Sequence, residues 1–153
     1  MTDRRHPAPS GWTPARCAAL HKRAFTHPRP WTTAEFAALL ATPGVFPVTH
    51  AKGFALGRVV ADEAELLTLA VSPEARRQGV GSRLVRGFEA QALAEGAATA
   101  FLEVAADNRA ARALYRHLGY RESGRRKGYY RTAAGQLVDA VLMTRPLGRT
   151  GEI

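Results

Sequence analysis

Two stretches of the chain hold residues whose types and spacing could do chemistry. The first is Leu69-Ala70-Val71-Ser72-Pro73-Glu74-Ala75-Arg76-Arg77-Gln78-Gly79-Val80-Gly81-Ser82, which reads as a strand, a basic turn, and two glycines at alternate positions opening a helix. Small residues let a backbone curl closely around an anion, and free N–H groups at the positive end of a helix meet it there. That makes the stretch a candidate pyrophosphate cradle, although an ordinary loop and N-cap would carry the same residues. Arg76 and Arg77 either add charge to the turn or face solvent. No GxxxxGK[ST] run occurs, and the glycine pair follows a meander rather than a first Rossmann strand. Nucleoside triphosphate hydrolysis and dinucleotide redox chemistry are both disfavoured.

The second stretch is Phe101-Leu102-Glu103-Val104, followed by Asp107-Asn108 and a helix through Leu114-Tyr115-Arg116-His117-Leu118. Glu103 interrupts an apolar strand near its C-terminal end, where sheet enzymes place working groups. It reads equally well as a half-exposed strand position or as a partner for one of the many arginines. Asn108 is a ligand-binding candidate or simply an N-cap, and Tyr115 is a working phenol or a packed tyrosine. The arrangement matters more than any member, because an acid on a strand end and a phenol on the following helix can converge over one cleft.

Thr13-Pro14 reads as an N-cap with proline at the first helical position, opening a helix to about Phe25 that His27-Pro28-Arg29-Pro30 breaks. Thr32 or Thr33 restarts a short helix with Glu35 near its start, and the two helices are expected as a lid over one edge of a sheet. Strands are expected at 45–49, 54–60 and 65–71, with turns at Lys52-Gly53 and Asp62-Glu63. A helix from Gly79 to about Leu93 follows, with Arg83, Arg86 and Glu89 as its polar positions. A buried strand at 100–104, a helix from Asn108 to Leu118 closed by Gly119, and a last hairpin of 120–126 with 138–144 complete the pattern. The expectation is one α+β domain over residues 1–153, a mixed sheet flanked by helices, with 1–12 a loose end or short edge strand.

At 153 residues, with 46% hydrophobic and 23% charged residues, the chain can bury a core without metal or disulfide staples. Cys17 alone cannot make an internal disulfide or a cysteine zinc site, so no metal is expected. Twenty-two Lys and Arg against thirteen Asp and Glu leave a net charge of +9, which favours a polyanionic partner. No 18-residue apolar stretch occurs, and we expect an intracellular, cytoplasmic protein that does not span a membrane.

These motifs resemble those of the GCN5-related N-acetyltransferase (GNAT) family, and more narrowly its ribosomal-protein alanine acetyltransferase branch. The family's acetyl-CoA motif is Arg or Gln, two variable residues, Gly, one variable residue, then Gly or Ala. Arg76-Arg77-Gln78-Gly79-Val80-Gly81 matches it. The Leu-Glu-Val strand, Asn108 and the run from Ala113 to Tyr120 match the second half of the fold. Pro30-Trp31-Thr32, Arg126-Lys127-Gly128-Tyr129-Tyr130 and Asp139-Ala140-Val141-Leu142-Met143 resemble the branch. The resemblance implies the acyl-CoA N-acyltransferase fold with acetyl-CoA as cosubstrate and coenzyme A as product. It implies that Leu69, Ala70 and Val71 pair with the pantetheine arm, that the turn from Arg76 through Ser82 wraps the pyrophosphate, and that Asn108 holds the far part of the arm. It further implies Glu103 as general base, Tyr115 as general acid, and Trp31, Tyr129 and Tyr130 as aromatic walls around a small first residue.

The acceptor implied is a protein N-terminus, that of ribosomal protein S18, with no nucleic acid required and no membrane involved. An arginine-rich S18 terminus needs acids such as Glu35, Glu63, Glu65 or Asp139 to offset the basic field. The same chemistry on an internal lysine or a small-molecule amine is the enzymatic alternative. A nonenzymatic RNA- or ribosome-binding module would explain the charge, but lacks a recognisable nucleic-acid motif.

Overall fold

Helix α1 (Pro14–Ala24) begins as its sequence predicts, with Thr13 accepting a hydrogen bond from the backbone N–H of Arg16 and Pro14 in the first turn. The computed structural model describes residues 11–25 and 29–148, so His27 and Pro28 of the expected breaker, and residues 1–10 of the loose end or edge strand expected over 1–12, lie outside the described residues. Helix α2 (Thr33–Leu40) starts with a reciprocal capping box, in which Thr32 takes the N–H of Glu35 and Glu35 takes that of Thr32.

Among the described residues, six strands follow the order β1-β2-β3-β4-β6-β5 in one sheet. They are β1 (Val45–His50), β2 (Gly53–Val60), β3 (Glu63–Val71), β4 (Thr99–Ala105), β5 (Arg121–Arg131) and β6 (Leu137–Pro146), joined by α3 (Val80–Ala94) and α4 (Arg109–His117). Only β3 and β4 pair in parallel; the other neighbours are antiparallel. The second meander turn is Ala61-Asp62 rather than Asp62-Glu63, because Glu63 already pairs with Val60 and Ala61 takes the left-handed bend at φ 54°. The last hairpin is longer than its sequence suggested, because β5 continues through Tyr129 and Tyr130 to Arg131.

Strand β3 contains the irregularity that shapes the molecule. Leu56 pairs with Thr68 and Gly57 with Leu66, so Leu67 is an extra residue, a β-bulge. The insertion switches the facing of the strand. Ala64 and Leu66 before it, and Leu69 and Val71 after it, contact the core under α3, whereas Leu67 and Ala70 pack toward α1 and α2. Pairing of β3 with β4 stops at Glu65 opposite Phe101, and from there the two strands part.

Each face of the sheet has its own core. Under α3 and α4 lie Phe46, Leu66, Leu84, Val85, Phe88, Leu102 and Met143. Gly57 permits this packing, since a Cβ there would fall 2.6 Å from both the Phe46 and Phe88 rings. On the other face Trp12, Cys17, Leu20 and Phe36 cover Phe54, Leu56 and Ala70. Helices α1 and α2 therefore cover the face of the meander rather than its edge. Trp12, expected at the loose end, is buried, and its indole N–H donates to the His50 carbonyl at 2.9 Å. Cys17 is a buried thiol whose pKa is pushed up to about 11 by burial, with Arg16 opposing.

Among the described residues, Glu89 and the pair of His21 with Thr68 bring polar groups into these cores. Glu89, expected among the polar positions of α3, is only 5% exposed. Its carboxylate accepts from the Tyr120 hydroxyl at 2.8 Å and pairs with Arg86 at 2.7 Å and Arg145 at 3.1 Å. His21 accepts the Trp31 backbone N–H on Nδ1 at 3.0 Å, which leaves the proton on Nε2 to donate to Thr68 Oγ1 at 2.9 Å. It thereby ties α1, the segment before α2 and β3 together.

Burial lowers the His21 pKa from 6.5 to about 4, with Glu35 pulling the other way. Between those values the unfolded chain binds a proton that the folded one refuses. The contribution of His21 is therefore complete above pH 6.5 and is lost as pH falls toward 4. The loss is on the order of 3 kcal/mol. Urea denaturation should show a shallower decline in stability over this window for His21→Gln than for the parent, and equal slopes would remove His21 as the cause. Glu89→Ala strands the Tyr120 hydroxyl and Arg145, and should cost about 3 kcal/mol by the same measurement, with Glu89→Gln costing less.

Candidate active site

The glycine turn lies between a 3-10 turn at Pro73–Ala75 and the start of α3. Arg77 and Gly79 both adopt left-handed backbone, at φ 65° and 80°. This curls the chain at the head of α3, whose opening N–H groups have no intrahelical acceptors. Arg83 is the first residue here whose N–H reaches back into the turn, to the Gly79 carbonyl at 3.1 Å. A Cβ on Gly79 would meet nothing within 4 Å, so that position is open. One on Gly81 would lie 3.1 Å from Leu114 Cδ2, so the second glycine also lets α3 pass close to α4. Arg76, Arg77 and Gln78 are exposed, Val80 is buried, and Ser82 is half-buried.

Beyond the turn is the opening between β3 and β4. Leu69 and Val71 are half-buried beside it, while Ala70 is buried on the opposite face. Because β4 no longer pairs with this part of β3, the β3 edge is available for an extended ligand. Asn108 sits where β4 hands over to α4, and its Oδ1 accepts the Ala111 N–H at 3.2 Å. That carbonyl oxygen is engaged as an N-cap.

Glu103 and Tyr115 stand on opposite faces of the sheet. Tyr115 belongs to the core under α3, 7% exposed, with its ring edge-on to Tyr120 at 6.1 Å. Burial raises its pKa well above the ordinary phenol range. Glu103 faces the other way, into a trough of about 490 Å³ that also takes in Glu63, Glu65, Phe101, Arg126, Leu142 and Thr144. The two do not share one cleft floor, as the sequence suggested; they flank the sheet at the place where β3 and β4 have separated.

Arg126 Nε lies 2.7 Å from Glu103 Oε2, and its guanidinium carbon is 5.0 Å from the Tyr129 ring centroid. Tyr129 meets Tyr130 edge-on at 5.2 Å. The Tyr130 pKa is raised by burial and, next, by the Glu103 charge. Tyr129 and Tyr130 are thus gathered at Glu103, while Trp31 stacks on His21 and contacts Phe36. In the sequence Arg126 belongs only to the hairpin motif, and no local pattern marks it as the partner of a residue 23 positions earlier.

The acids proposed to offset a basic peptide have different situations. Glu63 and Glu65 line the trough, with Glu65 paired to Arg58 at 2.8 Å. Glu35 is held by Arg29 and by Thr32, which lower its pKa to about 2. Asp139 accepts from the Gly128 N–H at 2.9 Å and from Arg125 at 3.1 Å, and its pKa is lowered chiefly by the former. Among the arginines near the two motifs, Arg112 is committed internally to the Ala106 carbonyl at 2.8 Å.

Comparison with known proteins fits this geometry. Residues 12–120 match the model of the acetyltransferase (GNAT) family. The chain is 38% identical over 134 residues to the [ribosomal protein bS18]-alanine N-acetyltransferase of Escherichia coli, covering 85% of this chain and 90% of that protein. It is 37% identical over 142 residues to the N-alpha-acetyltransferase RimI of Mycobacterium tuberculosis, covering 87% and 86%. The crystal structure of the ribosomal-protein-S18-alanine N-acetyltransferase from Escherichia coli superposes with a TM-score of 0.76 at 36% identity over 88% of each chain. Acetyl-CoA is the acetyl donor of such enzymes, and the left-handed turn at the head of α3 and the unpaired β3 edge suit its pyrophosphate and its amide-bearing arm. The family match, two close relatives and the shared fold lead to one conclusion: the chain belongs to the acetyltransferase (GNAT) family.

Proposed function

We propose that the chain is an acetyl-CoA-dependent protein N-terminal alanine acetyltransferase, a single domain whose acceptor is the N-terminus of ribosomal protein S18, acting in the cytoplasm. The observation that carries the reading is a carboxylate and a buried phenol on opposite faces of the sheet, flanking the place where β3 and β4 part. Its agreement with a relative named for alanine acetylation and another named for N-alpha acetylation supports the acceptor.

The donor supplies a thioester-activated acetyl group. In this reading Arg76 through Ser82 hold its pyrophosphate with backbone N–H groups and positive charge, Leu69 to Val71 align its arm, and Asn108 supports the far end. Glu103 takes the proton from the acceptor amine, directly or through a water, because only the neutral amine attacks. Tyr115 keeps its proton at neutral pH and can deliver it to the departing thiolate, and a backbone N–H near Val71 meets the developing oxyanion. Trp31, Tyr129 and Tyr130 bound the acceptor's first residue.

Amine chemistry favours the N-terminus. An α-amine with pKa near 8 is about one-tenth neutral at pH 7, whereas a lysine near 10.4 is neutral about 4 parts in 10,000. The deciding experiment is mass spectrometry with acetyl-CoA and paired peptides of equal charge. A free N-terminal alanine should outcompete an internal lysine in kcat/KM, and a bulky first residue should slow the reaction. Efficient lysine acetylation after N-terminal blocking would move the assignment to the alternative acceptor class.

Two variants test the roles. Glu103→Gln should lower kcat on the alanine peptide by about 10²- to 10⁴-fold with partial recovery as pH approaches 8, and Tyr115→Phe should lower kcat more than donor affinity. Parent-like turnover of both variants would defeat the mechanism. Gly79→Ala forces a side chain into left-handed backbone while touching nothing, so it should weaken coenzyme A binding in isothermal titration while the protein stays folded. Unchanged affinity would remove the turn from the donor site.

A further inference from the structure

The Glu103 carboxylate is already occupied by a cation. Arg126 Nε is 2.7 Å away, although its side chain remains 60% exposed while that of Glu103 is 25% exposed. Exposed ion pairs are weak and exchange readily, so this contact can be broken at little cost. Arg126 also has a second place to rest, since its guanidinium lies 5.0 Å from the face of Tyr129. It sits at the point where β5 loses register with β6, between the pairs Arg126↔Ala140 and Tyr130↔Val138. The intervening segment is anchored by the Gly128 N–H on Asp139 at 2.9 Å. Neighbouring Arg125 is held by Glu122 and Asp139 and does not compete for Glu103.

We propose that Arg126 is a stand-in cation, which occupies the Glu103 carboxylate until the ammonium of the acceptor displaces it, and which denies that carboxylate to water in the meantime. The inference rests on Glu103 being the base. An ammonium brings the charge needed to replace the guanidinium at the carboxylate, then gives its proton to Glu103 and attacks as the neutral amine. Water brings no charge and displaces Arg126 poorly. Without Arg126, Glu103 can accept a proton from a water whose oxygen bonds to the thioester carbonyl carbon. The C–S bond then breaks as the Tyr115 hydroxyl gives its proton to the leaving thiolate, yielding acetic acid and the coenzyme A thiol, and the proton on Glu103 returns to Tyr115 through solvent. Arg126 acts through Glu103, so it is a positioning residue that favours cationic acceptors over water and neutral hydroxyls.

The test measures thiol release from acetyl-CoA with no peptide present. Arg126→Ala, an exposed change on an edge strand, should raise this hydrolysis about two- to five-fold, the factor that freeing an exposed ion pair supports. Arg126→Lys should stay near the parent rate, and Arg126→Ala combined with Glu103→Gln should fall back to it. A readout independent of turnover is the Arg126 Nε–H resonance without acetyl-CoA. It should shift when a peptide with a free N-terminal amine is added and stay put when that amine is acetylated. Hydrolysis by Arg126→Ala equal to the parent, an increase that survives Glu103→Gln, or a resonance indifferent to the free amine would overturn the proposal. Glu103→Gln assayed with peptide separates the two ideas. Full peptide turnover there rejects the base itself, whereas slow turnover together with unchanged Arg126→Ala hydrolysis rejects only the stand-in role.

Discussion

The bulge at Leu67 is the constraint on which the site depends. One extra residue on β3 bends the strand and swaps which side chains meet which core, and pairing with β4 ends after Glu65 and Phe101. A regular parallel pair would have used the β3 edge in the ladder and left no passage between the faces of the sheet. Gly57, opposite the bulge, accepts the Phe46 and Phe88 rings, so the large aromatic contact of the α3 core is built at the same place as the irregularity. The irregularity is therefore packed against the α3 core.

That separation divides the chemistry by environment. The phenol of Tyr115 lies on the dry side, where burial keeps it protonated. The carboxylate of Glu103 lies on the wetter side, in a trough shared with Glu63, Glu65 and Arg126. In the proposed mechanism, an acid that must keep its proton and a base that must receive one are thus separated by a sheet rather than by distance along a pocket. The positive charge of the chain is distributed in the same manner. Exposed Arg76 and Arg77 stand at the turn, whereas Arg112, Arg125 and Arg126 are engaged with groups of the protein itself.

What could be read from sequence was what is encoded within a turn or two of chain. Thr13 with Pro14, Thr32 with Glu35, and the alternate glycines after Arg77 each specify their geometry through neighbours three or four residues away. The order of strands and helices followed from such local signals. What could not be read was long-range pairing. Glu89 has the helical position of a solvated carboxylate, and only the approach of Tyr120 and Arg145 turns it into a buried acceptor. Trp12 stands in a segment composed like a loose end, yet its indole finds His50, 38 residues on. Arg126 is one of several arginines in an edge strand, and its contact with Glu103 depends on β6 lying between β4 and β5. The bulge shows in the sequence only as the adjacent Leu66 and Leu67, where the alternation shifts phase, and such a pair is not distinctive until the two cores are known.

The central claim is that the parted edge of β3 and the turn at the head of α3 together hold the acetyl donor. Hydrogen–deuterium exchange with and without coenzyme A tests it most directly. The account predicts that amides in residues 67–71 and 77–82 gain protection together on binding, while those of β1 and of the β1–β2 turn stay unchanged. Saturating coenzyme A that left 67–71 exchanging as in the free protein, with protection appearing elsewhere, would contradict it.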